Sequence, residues 1–188
     1  MSEPTRDPVH RVRYAFEPDG ENLFVDTWME PGGALPAHLH PRQQERWSVV
    51  EGEVRFQLGG TKRVISPKDG ELVVPPGTTH AIASVSDREA HLRCHVIPAR
   101  DLRAFLEESA EAARQGLFVR GGIPRSLRGA RWAAAFLKRH REDVVMSFPP
   151  AFVQSAMIAP CSGARTSRGG VGARGSRIAA RSPRTVRR

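Results

Sequence analysis

Three histidines and one glutamate occupy two short segments whose spacing suits a metal. His38 and His40 lie in Gly32-Gly33-Ala34-Leu35-Pro36-Ala37-His38-Leu39-His40-Pro41-Arg42-Gln43-Gln44-Glu45. Residues two apart on a strand project from one face, so two imidazoles can reach a common point while Leu39 packs on the other side. Glu45 has the opposite parity to His40, but Pro41 and the polar Arg42-Gln43-Gln44 mark a turn. A new strand starting near Glu45 resets the parity. His80 follows the rigid Pro75-Pro76-Gly77 turn and supplies a third imidazole. Three imidazoles and a carboxylate suit one divalent transition metal, with Fe, Mn, Ni and Zn all admissible. Four protein ligands leave positions open in a six-coordinate shell, and Lewis-acid or redox chemistry needs such positions.

The elements that must carry these residues are strands. From Arg11 to Pro98 short alternating runs are separated by turn residues, with no apolar period of helix length. Val12, Tyr14 and Phe16 alternate, as do Leu23, Val25 and Thr27. Further strands are expected at 37–40, 45–50, 53–58, 62–65, 71–74, 80–85 and 90–97. About nine strands in so short a stretch predict an all-β sandwich or barrel. After Pro98 the period changes to about 3.6, and Leu102, Phe105, Leu106, Ala110 and Ala113 mark a helix between Asp101 and Gly116. A second helix is expected from Pro124 to His140 with Leu127, Ala130, Ala134 and Leu137 as its stripe, and a shorter third after Pro149-Pro150. The reading divides the chain into a β domain over 11–98, a helical extension over 99–160 and an Arg/Gly/Ser-rich tail over 161–188. That tail lacks acidic and aromatic residues and is expected to be disordered.

At the histidine segments the sequence resembles the cupin superfamily, as a small single-domain member. Gly32, His38, His40, Glu45 and Gly52 match the first cupin motif; Pro75, Gly77 and His80 match the second. Two departures leave the ligands intact: four residues rather than five separate Gly70 from Pro75, and Ser84 stands where an asparagine is usual. The resemblance implies a jelly-roll or double-stranded β-helix barrel with a metal in its mouth. It spans a superfamily of dioxygenases, isomerases, decarboxylases, storage proteins and regulators, so the fold does not choose the function.

Other residues are candidates for the pocket wall. Trp47 shares strand parity with Glu45. His91, Arg93 and His95 alternate with Leu92, Cys94 and Val96 on the last strand. If the apolar set faces an outer layer, Arg93 and His95 line the barrel. The basic residues of the second helix, Arg125 to Arg141, read as a solvated face.

Composition narrows the partners. The formal charge of +9 is uneven: residues 1–98 carry 11 basic and 14 acidic residues, 99–160 carry 10 and 6, and 161–188 carry 8 and none. A basic excess concentrated in the tail argues against a nucleic-acid site on the fold, and the tail lacks aromatic residues to stack bases. Two cysteines form no disulfide framework or thiolate site. With no apolar signal-peptide core in Met1–Val9 and no run of membrane-spanning length, the expected location is cytoplasmic. Two function classes stay open: a metal-dependent dioxygenase, and a non-enzymatic module that binds or senses a small molecule. A homodimer is expected, because a barrel of two sheets leaves edge strands open and the apolar segment around Val12–Phe16 can pair or pack against a second copy.

Overall fold

The computed structural model describes residues 3–147. Its strands are β1 (Thr5–Asp7), β2 (Val12–Asp19), β3 (Asn22–Met29), β4 (Ala34–Leu39), β5 (Gln44–Glu51), β6 (Val54–Leu58), β7 (Thr61–Ile65), β8 (Leu72–Val74), β9 (His80–Ser84), β10 (Ala90–Ile97), β11 (Phe118–Val119), β12 (Ile123–Pro124) and β13 (Val145–Met146). The helices are α1 (Leu102–Arg114) and α2 (Leu127–Arg139). Two antiparallel sheets form, in the orders β1-β2-β3-β10-β5-β8 and β13-β4-β9-β6-β7, and β11 and β12 make a separate hairpin. Each sheet keeps two edges, so the fold is a β-sandwich rather than a closed barrel.

Alternation sets the inner face. On β3, Leu23, Val25, Thr27 and Met29 are buried; on β10, Ala90, Leu92, Cys94 and Val96; on β5, Glu45, Trp47 and Val49. These pack with Val54, Phe56 and Ile82 of the second sheet into one core. Gly52 turns the chain between β5 and β6 at φ +81°, where an added Cβ would lie 3.1 Å from Ala90. Only glycine meets both demands there at no steric cost.

Several expectations change. The apolar set of β10 faces the core, so His91, Arg93 and His95 lie on the outer face. There Arg93 bridges Glu17 and Asp26, His91 bonds Asp26, and His95 bonds Asp19 while stacking on Phe24. Arg93 and His95 are therefore not pocket residues: burying the apolar partners stabilises the sandwich, whereas inward charges would cost desolvation. The edge of β2 offered to a second copy is paired over Val12–Tyr14 by β1, a strand too short and polar to be read from sequence. Helix α2 begins after Ser126, whose hydroxyl accepts from Gly129 N, and Leu127 is 80% exposed. The inward face carries Gly129, Trp132, Ala133 and Phe136 together with Leu137 of the expected stripe, because the two large rings bury more apolar area than the alanines of that stripe. The expected third helix and the tail lie outside the described residues.

Candidate metal centre

His38 sits near the end of β4, His80 opens β9, and the two are register partners across the sheet. His40 follows β4 directly, and Glu45 sits at the start of β5 after the turn that restores its inward orientation. The reset parity brings the carboxylate back: candidate ligand atoms of His38, His40, Glu45 and His80 all lie within 4.8 Å of one another. His40, Glu45 and His80 are buried and His38 is half-buried. These are the four residues singled out from sequence.

Each imidazole is held from behind. His38 Nδ1 lies 2.7 Å from Pro36 O, His40 Nδ1 2.8 Å from Asp143 O, and His80 Nδ1 3.2 Å from Thr78 O. A carbonyl oxygen only accepts, so every Nδ1 is the donor and every Nε2 presents a lone pair. Gln43 adds Oε1 at 3.0 Å from His40 Nδ1 while its own Nε2 donates to Ala99 O.

Those lone pairs converge on the carboxylate. His40 Nε2 is 3.1 Å from Glu45 Oε1, and His80 Nε2 is 2.9 Å from Glu45 Oε2. Neither contact has hydrogen-bonding geometry, and both Nε2 atoms are buried without a hydrogen-bond partner. Acceptors facing acceptors in a dry site are costly unless a cation lies among them. The donor set and its orphaned nitrogens fit a divalent transition metal, so the cluster could hold one.

The electrostatics favour the ligating forms of His38 and Glu45 but oppose that of His40 in the metal-free site. Burial, then the neighbouring His80 and His40, lowers His38 to about 3, leaving it neutral at pH 7. Burial disfavours the Glu45 carboxylate, but the His40 and His80 imidazoles outweigh this and hold it well below the usual range. Burial also opposes charge on His40, yet Glu45 overcomes it and the pKa rises. Trp47 Nε1 donates to Glu45 Oε2 at 2.9 Å, fixing the carboxylate from the side.

His38, His40 and Glu45 stand in the wall of a cavity of about 420 Å³ between the sandwich and the two helices. Trp47, Cys94 and Val96 form its sheet side; Phe105, Trp132 and Phe136 form its helix side. Burial pushes the Cys94 thiol well above its ordinary value, which keeps it an inert apolar wall. Sequence reasoning missed the helical wall, Gln43 as a support, and the Asp143 carbonyl. Only Gln43 carried a local signal, as a polar residue three positions after a ligand.

The family description "Cupin domain" matches residues 27–97. Oxidoreductase macE of Penicillium terrestre is 33% identical over 87 residues, 46% of this chain and 33% of that protein. Among solved structures, an RmlC-like cupin from Shewanella frigidimarina aligns with TM-score 0.48 and 24% identity over 55% of this chain and 89% of that one. KdgF from Halomonas sp. aligns at 0.47 and 22% over 54% and 91%. The chain spans no more than about a third of the length of the curated relatives it matches. No helix among the described residues is long and apolar enough to cross a membrane. Residues 27–97, which carry both histidine segments on the inner side of the sandwich, are a cupin domain.

Proposed function

We propose that the protein is a metal-dependent oxidoreductase that takes a largely apolar small organic molecule bearing oxygen donors. The observation that carries this reading is the pair of orphaned Nε2 atoms, His40 and His80, facing Glu45, with His38, His40 and Glu45 in the wall of a mostly apolar cavity. His38, His40, Glu45 and His80 would hold the metal, which supplies redox or Lewis-acid chemistry at its open positions. The rest is the work of the chain. The carbonyls of Pro36, Thr78 and Asp143 fix the imidazole tautomers, and Trp47 holds the carboxylate. The rings of Phe105, Trp132 and Phe136 exclude water and accept an apolar body. The oxidoreductase name of relatives such as macE supports a redox outcome.

The test is oxygen uptake and absorbance change by protein loaded separately with Fe(II), Mn(II), Ni(II) or Zn(II), offered catechols, flavonols, keto acids and thiols. Oxygen consumption that stops on chelation and in His40→Ala supports turnover. Saturable ligand binding without consumption of oxygen or ligand would make the protein a non-catalytic binding module instead.

A further inference from the structure

The cavity has a second polar wall built from residues that precede the cupin segment. Asp7 is 1% exposed, and its Oδ1 accepts from the backbone N–H groups of Val9 and His10. Its Oδ2 lies 2.7 Å from His10 Nδ1. Both carboxylate oxygens are thus committed, and they fix Nδ1 as the donor, so that in the neutral ring Nε2 carries the lone pair. His10 lines the cavity, its side chain keeps 18% exposure, and Nε2 makes no hydrogen bond among the described residues. Opposite stands Gly122 of the hairpin turn, where an added Cβ would come 3.8 Å from His10 Nε2. A glycine there leaves the nitrogen uncovered.

The position of His10 along the cavity follows from the sheet. Its carbonyl accepts from Ala34 N, at the first residue of β4, and His38 lies four residues further on. At about 3.3 Å per residue that is a separation of at most roughly 13 Å along β4, whose register is irregular between Leu35 and His38. Apolar side chains, Val25, Phe105 and Trp132 among them, line the cavity that both residues share.

We infer that His10, oriented by Asp7, is a second ligand anchor that accepts a hydrogen bond from a hydroxyl at the far end of the bound molecule. The ligand class is then an elongated, mostly aromatic or apolar molecule with oxygen donors at one end and a hydroxyl at the other. This rests on the metal-centred reading for the near end of the ligand, and on the Asp7–His10 geometry alone for the far end.

Three probes test it: a biphenyl catechol, the same molecule with a para hydroxyl on its far ring, and the corresponding para methoxy compound. Affinities are measured by quenching of tryptophan fluorescence in protein loaded with redox-inert Zn(II). In the wild type the far hydroxyl should tighten binding roughly tenfold, the worth of one well-placed hydrogen bond, and the methoxy group should not. In His10→Phe all three probes should bind alike. A gain that is absent from the wild type, persists in His10→Phe, or is shared by the methoxy probe overturns the inference, as does failure of every probe to bind. If His10→Phe does not fold, the hydroxyl and methoxy probes decide on the wild type alone. The metal-centred reading fails separately: catechol binding that survives chelation overturns it, while a retained hydroxyl gain would still support the anchor.

Discussion

His40 Nδ1 donates to the backbone carbonyl of Asp143, 103 residues away in sequence and beyond the cupin segment, at 2.8 Å. The chain after β10 therefore supports a candidate metal ligand directly. It does so from a braced position, because Arg100 Nε donates to Asp143 Oδ1 at 2.8 Å and β13 pairs with β4 beside His38.

Loosening that brace should weaken metal binding without removing a ligand. Arg100→Ala and Gln43→Leu are each expected to lower affinity roughly tenfold, the lower end for partners that orient a ligating histidine. Competition with a chromophoric chelator measures this, and wild-type affinity in both variants would show that the carbonyl and amide contacts are incidental.

Removing a ligand should do far more. His40→Ala is expected to lose most of the metal, and the triple substitution at His38, His40 and His80 all of it. Elemental analysis of chelator-free preparations decides, and equal metal in wild type and triple variant would end the metal assignment.

The metal-stripped protein should be most stable near pH 6.5. In the unfolded chain His38 takes its proton near 6.5, but in the fold only near 3, so the unfolded state binds more protons between these values and stability falls as pH drops. Glu45, held well below 4.5, adds stability that is present above 4.5 and lost at lower pH. His40 acts oppositely: its raised pKa contributes stability below 6.5 that is lost as pH rises through its folded value. Thermal midpoints across pH 3 to 8 measure both limbs. A flat profile on the acid side would contradict the burial of neutral His38.

The two faces of β10 should respond differently to truncation. Leu92, fully buried, should cost about 2–5 kcal/mol when replaced by alanine. Arg93, on the outer face with partly exposed partners, should cost about 1 kcal/mol or less as alanine and leave metal content unchanged. Denaturant unfolding with metal analysis checks both. Loss of metal in Arg93→Ala would return that residue to the pocket.

A chain ending at Pro160 should keep the thermal midpoint and metal content of the full chain and lose affinity for heparin, because the deleted residues carry eight basic and no acidic side chains. Unfolding on truncation would mean that the tail packs on the sandwich.

The four candidate ligands were legible in the sequence because each rested on a local rule. Strand parity pairs His38 with His40, the Pro41–Gln44 turn resets Glu45, and the Pro75–Gly77 turn delivers His80. The strands themselves were legible for the same reason. Parity also separated His91, Arg93 and His95 from Leu92, Cys94 and Val96, but it divides a strand into two faces without saying which is inward. The second sheet and its apolar complement, Val54, Phe56 and Ile82, decided that. Nor does any residue type announce that the Asp143 carbonyl will reach His40, or that Asp7 and His10 will share a cavity with the cluster. Every residue carries a carbonyl, and the closure of the helices over the sheet is a long-range packing event. Local chemistry thus selected the candidate ligands, while tertiary packing chose their supports and the cavity beside them.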